Sequence, residues 1–193
     1  MVVSSIRDIL QPKSTQRDNA TADLVRDHFD LVLVHGDKHF ATLDETFSAT
    51  QAIADKIAYT GMIAPANAQP RAVDSYDVIV SAGGGAVGED LLRASVAARE
   101  LTSLSKARWL IVAGPNLPDE AFSSLQAGVV DNVELVRFRP DLAVLLGQAR
   151  VSVSQAGYNT VADVLRAECA SVLVPFAAHG EREQTIRATR LEA

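Results

Sequence analysis

The sequence predicts an α/β fold built on a doubly wound parallel sheet, and three observations carry that prediction. Its β-branched runs are almost continuously apolar, the pattern of strands buried on both faces rather than one. Stretches with apolar residues at helical spacing lie between those runs. From about Tyr76 onward, strand and helix alternate regularly, as right-handed βαβ units require.

Taken in order, strand runs are Leu31 to His35, Lys56 to Thr60, Asp77 to Ser81, Trp109 to Ala113, Val133 to Val136, Val151 to Ser154 and Val172 to Pro175. Helical spacing joins Leu91, Leu92, Val96, Ala97, Leu101 and Leu104, then Leu142, Leu145 and Leu146, then Val161, Val164 and Leu165. Residues Glu181 to Ala193 read as a helix with no strand after it. Residues 62–75, with Pro65 and Pro70 and no periodicity, read as an interdomain linker. Only two strand runs precede it, too few for an independent α/β domain. Residues 1–61 therefore read as the incomplete tail of a second α/β domain. Residues 76–193 read as a domain truncated at its C-terminus.

Bulk composition narrows the function classes. The chain has 193 residues, 48% of them apolar and 22% charged, which suits a packed core and not a disordered chain. A net charge of -6 argues against a general nucleic-acid footprint. Cys169 is the only cysteine, which rules out an intrachain disulfide and a cysteine metal cage, and its place before a core strand suits a small packing residue. No apolar run reaches the ~20 residues of a membrane span. Met1 to Leu10 lacks the charged start and long apolar centre of a secretory signal, so the expected compartment is the cytoplasm.

The chemistry concentrates in turns that follow strands. Ser154-Gln155-Ala156-Gly157-Tyr158-Asn159-Thr160 leads from a strand into a helix that carries Asp163 about one turn in. Backbone N–H groups at such a helix start attract anions, and a carboxylate nearby can accept from sugar hydroxyls. Ser81-Ala82-Gly83-Gly84-Gly85-Ala86-Val87-Gly88 makes a second such turn, where glycines permit close backbone approach to a phosphate. Gly83, Gly85 and Gly88 satisfy the dinucleotide spacing, but the next strand ends in Ala113-Gly114-Pro115-Asn116 without the acidic residue that would bind a ribose. No Gly-Lys-Ser/Thr follows, so a P-loop is excluded. The loops after Val136, Ser154 and Pro175 belong on the same rim, where open α/β sheets bind ligands. There Phe138 and Arg139 are placed to border a base, although an aromatic at a strand end is ordinarily core. Asp163 or Glu183 suits ribose hydroxyls, Gln184 offers an amide, and His179 is set against a phosphate or sugar, or is a plain exposed loop residue. His35 and His39 match a zinc spacing only numerically, in a strand-to-turn context, and no G-x-S-x-G elbow is present.

Together these turns, with Pro175-Phe176 and Glu183-Gln184, resemble the C-terminal domain of MurG-like GT-B glycosyltransferases over roughly Tyr76 to Ala193. The resemblance implies a Rossmann-like domain that binds a nucleotide-diphosphate sugar, with an acceptor-binding domain before it. It implies that Gly83, Gly84 and Gly85 border the diphosphate, that Gly157, Tyr158, Asn159 and Thr160 form the second phosphate-facing turn, and that the Arg139 backbone meets the base. Asp163 stands where the family has a ribose-binding Glu, and Glu183-Gln184 stand where it has a Gln-Gln pair on the donor sugar. Gly85 replaces a Ser of MurG and Glu183 replaces the first Gln, which leaves the sugar open. The implied activity is metal-independent, inverting transfer from a nucleotide-diphosphate sugar, UDP-linked, to an acceptor hydroxyl. No cofactor beyond that co-substrate is implied. The general base is expected in acceptor-domain sequence that the chain lacks, as is any peripheral membrane contact, and the chain alone is expected to be inactive. A nucleotide-sugar hydrolase or epimerase on the same scaffold, an NAD-dependent oxidoreductase and a non-catalytic nucleotide-binding module stand as alternatives.

Overall fold

The computed structural model describes residues 1–63, 74–84 and 87–192. Most of the expected linker and Gly85 lie outside the described residues, as does the side chain of His179. The chain divides into two compact units.

The first unit holds β1 (Val3–Arg7), α1 (Thr15–His28), β2 (Leu31–His35), β3 (Ile57–Tyr59) and α6 (Glu183–Glu192). The three strands form a parallel sheet in the order β1-β2-β3. The residues before the linker thus carry a third strand, β1, besides the two expected. Its Ser4-Ser5 pair breaks the apolar run, and its alternate residues Val3, Ser5 and Arg7 are exposed, so it lacks the continuous signature of a doubly buried strand. Local chemistry closes both ends of α1. The Ser14 hydroxyl accepts from the Arg17 N–H at the start. At the end, Lys56 Nζ donates to the carbonyls of Arg26 and Phe29, both at 2.7 Å, where an ammonium also suits the helix dipole. Val32 and Val34 point into a core with Ala22, Val25, Leu43, Phe47 and Ile53.

The second unit holds β4 (Val78–Ser81), α2 (Glu89–Arg99), β5 (Trp109–Val112), α3 (Asp119–Gln126), β6 (Val133–Val136), α4 (Leu142–Leu146), β7 (Val151–Ser154), α5 (Tyr158–Arg166) and β8 (Ser171–Leu173). All five strands run parallel in the order β6-β5-β4-β7-β8. This is the doubly wound sheet expected from the sequence. Every residue of β4 and β5 is buried because helices cover both faces. Val78, Val80, Trp109 and Ile111 pack with Leu92 and Leu125 on one face, while Ile79, Leu110 and Val112 pack with Leu145, Leu146 and Val164 on the other. Connections run outward to β6 on one side of β4 and to β8 on the other. The order therefore reverses between β4 and β7, and open α/β sheets bind ligands at the carboxyl side of such a switch point.

Candidate functional site

The two glycine-bearing turns meet at that switch point. Ser81 at the end of β4 lies in register with Ser154 at the end of β7. The chain beyond Ser81 turns through Gly83 at φ +71°, a value that favours glycine. A Cβ built on Gly83 would sit 3.8 Å from Thr160 Oγ1 in the first turn of α5. Gly83, Gly84, Gly157, Tyr158, Asn159 and Thr160 are thus brought to one edge of the second unit.

The two helix starts there differ electrostatically. Neither Gly88 before α2 nor Gly157 before α5 supplies a side-chain cap. The first turn of α2 carries Glu89 and Asp90, which oppose an anion, whereas that of α5 carries no acidic residue. The N-terminus of α5 is the better anion site. Asp163 lies half-buried on α5, and burial pushes its carboxyl above the ordinary range, with Arg166 opposing.

At the end of β6, Phe138 is 68% exposed, so it is not the core aromatic that its position ordinarily implies. The Arg139 guanidinium forms a two-pronged pair with Asp141, Nε to Oδ1 at 2.9 Å and Nη2 to Oδ2 at 3.1 Å, and its Nη1 reaches Glu134 at 3.2 Å. That hydrogen bonding holds the Asp141 carboxyl below its usual range. Glu134 also accepts from the Tyr76 hydroxyl. The Arg139 side chain is therefore engaged in internal bonds, and its backbone carbonyl accepts from the Leu142 N–H at 3.3 Å.

Glu183 and Gln184 open α6, which belongs to the first unit, and His179 lies in the short turn Ala178–Gly180 of the same unit. Glu183 Oε1 accepts from Arg187 Nη2 at 2.9 Å, within a pair network that includes Asp8. Among the described residues, no cluster of three His, Cys, Asp or Glu side chains could hold a metal ion, and no helix is long and apolar enough to cross a membrane.

The structure adds close contacts and hydrogen bonds around this turn that the sequence did not assign. Gly114 takes φ +86°, and a Cβ there would lie 2.3 Å from the Gly83 carbonyl oxygen. A Cβ on Gly88 would lie 2.2 Å from Ala82 Cβ. Asn116 Nδ2 donates to the Gly84 carbonyl at 2.5 Å, and Gln155 Nε2 to that of Val87 at 3.2 Å. Gly114 and Asn116 entered the sequence argument only for the acidic residue absent there.

Comparison with known proteins bears on the fold and the family. The chain resembles the crystal structure of MurG from Acinetobacter baumannii with a TM-score of 0.54 at 18% identity, covering 89% of this chain and 46% of that one. It resembles CalG4, the calicheamicin glycosyltransferase, with a TM-score of 0.59 at 17% identity, covering 98% and 52%. The glycotransferase of kitacinnamycin gives 0.55 at 13%, covering 92% and 46%. The chain thus spans about half the length of these structures, and at such identities the likeness shows the shared GT-B fold. No curated protein matches the sequence. Residues 78–193 match the glycosyltransferase family 28 C-terminal domain, and the chain belongs to that family.

Proposed function

We propose that this chain is the donor-binding part of a glycosyltransferase that moves a sugar from a nucleotide-diphosphate sugar, UDP-linked, to an acceptor hydroxyl, with inversion and without a metal. The observation that carries the reading is the approach of Gly83 to Thr160 at the switch point, which sets a glycine turn beside an uncapped helix start free of acidic residues.

In this reading the diphosphate rests on the Gly83–Gly84 turn and on the backbone N–H groups that open α5. Thr160 adds a hydroxyl there, and Asp163 accepts from ribose hydroxyls. Phe138 offers its exposed face to the base, beside the Arg139 backbone. As the bond from the anomeric carbon to the leaving phosphate oxygen breaks, charge builds on the nucleoside diphosphate. Fixed backbone dipoles stabilise that charge without reorganising. The acceptor hydroxyl attacks from the opposite side of the anomeric carbon, and the base that takes its proton is not assigned to any residue of this chain.

Calorimetric titration of the 193-residue chain with UDP, GDP, ADP and dTDP tests the reading. Binding of one of them is expected, with no sugar transfer by the chain alone. Failure to bind any of the four would sink the reading.

A further inference from the structure

Two side-chain amides hold the glycine-rich turn from opposite sides, and they come from the two strands that flank β4. Asn116, just beyond β5, donates Nδ2–H to the Gly84 carbonyl at 2.5 Å. Gln155, just beyond β7, donates Nε2–H to the Val87 carbonyl at 3.2 Å. A carbonyl accepts and never donates, so both amides must present their NH2 groups here. Gly114 brings the β5 turn against the Gly83 carbonyl, where a Cβ would clash at 2.3 Å. The turn after β4 is thereby tied to both neighbours by bonds that engage its carbonyl oxygens.

We propose that Asn116 and Gln155 are positioning residues for donor binding: by engaging the Gly84 and Val87 carbonyls, they keep the negative ends of those peptides away from the diphosphate. This rests on the nucleotide-sugar reading above. An anion site made of backbone needs N–H groups facing the ligand and carbonyls facing elsewhere. A glycine-rich turn has no side chains to enforce that orientation, and glycine costs the turn conformational order. Two neutral donors meet the need without adding a charge of their own. Asn116 is itself exposed, so its bond to Gly84 does not arise from packing. Gln155 is 7% exposed and bonds to the carbonyl of the exposed Val87.

The test compares Asn116→Ala and Gln155→Met with the wild-type chain, because neither change adds a charge. The probes are whichever of UDP, GDP, ADP and dTDP binds wild type most tightly, and the corresponding nucleoside without phosphates. Each variant is expected to weaken the diphosphate about five- to tenfold, the effect of one net hydrogen bond, and to leave the nucleoside within about twofold. Asn116→Gln, which keeps a donor, is expected to recover most of the loss. Circular dichroism checks that each variant is folded, and the exposed Asn116 variants keep the test decisive if Gln155→Met does not fold. Unchanged diphosphate affinity, or equal weakening of diphosphate and nucleoside, overturns the positioning role while the donor-binding reading stands. A wild-type chain that binds none of the diphosphates overturns that reading and this proposal with it.

Discussion

Arg187 Nη2 donates to Asp8 Oδ1 at 2.8 Å, and neither side chain has any exposed surface. Residues 179 positions apart in the chain thus join α6 to the end of β1 within the first unit. Asp8 Oδ1 also accepts from the Ile9 N–H at 2.8 Å, and Gly36 packs so tightly there that a Cβ would meet Asp8 Cβ at 2.4 Å. A buried pair gains little over apolar residues of the same size, but removing Arg187 leaves the Asp8 charge buried without its counterion. Arg187→Met is therefore expected to destabilise the first unit by about 3–5 kcal/mol in urea titration. Asp8→Leu combined with Arg187→Met should recover much of that loss. A single variant within about 0.5 kcal/mol of wild type would show that the pair does not tie α6 down.

The second prediction concerns Gly114, where two penalties coincide. Its φ of +86° is one that side chains rarely adopt, and its Cβ would sit 2.3 Å from the Gly83 carbonyl oxygen. Gly114→Ala is expected to cost about 1–3 kcal/mol of stability, the range for a strained backbone position. It should also weaken diphosphate binding by moving the Gly83 turn. Equal melting and binding curves for variant and wild type would argue against both effects.

These two positions show what the sequence could and could not disclose. The sheet of the second unit was legible because β4 and β5 are buried on both faces, which writes a continuous apolar run. The turn after β4 was legible because its positive-φ position at Gly83 favours glycine. β1 was missed because one of its faces is exposed and carries Ser5 and Arg7, and Ser4 on the other face breaks the apolar run further. Gly114, Asn116 and Gln155 were not assigned as site residues because their roles depend on which strands flank β4. Strand order is a property of long-range pairing and leaves no local mark. The tie between Arg187 and Asp8 is likewise invisible to any window of the chain.

Asp163 allows a pH prediction with a definite sign. Burial holds its carboxyl above the ordinary range, with Arg166 opposing only in part. A folded-state value above the unfolded one favours the folded state while the group is protonated. That contribution is fully present below the unfolded pKa and is lost as pH rises through the folded value. At neutral pH the ionised carboxylate is therefore a liability to the fold. Asp163→Asn is expected to match wild type in acid and to become the more stable of the two as pH rises to neutrality. Melting curves at a series of pH values read this directly. The same variant should bind the diphosphate probe about tenfold more weakly, since a carboxylate accepts more strongly from ribose hydroxyls than an amide does. A variant that melts like wild type at every pH would sink the stability claim alone.

Phe138 separates binding from folding in the opposite way. Phe138 is 68% exposed just beyond β6, so it contributes little to the core. Arg139 beside it is fixed through Asp141 and Glu134, which anchors the backbone that carries the ring. An exposed aromatic on an anchored loop loses little entropy when a base stacks on it. Phe138→Ala is expected to change stability by less than about 0.5 kcal/mol. It should weaken the nucleoside, and the diphosphate equally, by about 0.5–1.5 kcal/mol, the range for an aromatic pair. That equal loss contrasts with the phosphate-selective loss expected at Asn116. If Phe138→Ala lowers the melting temperature but leaves nucleoside affinity intact, the ring serves the fold and the base is held elsewhere.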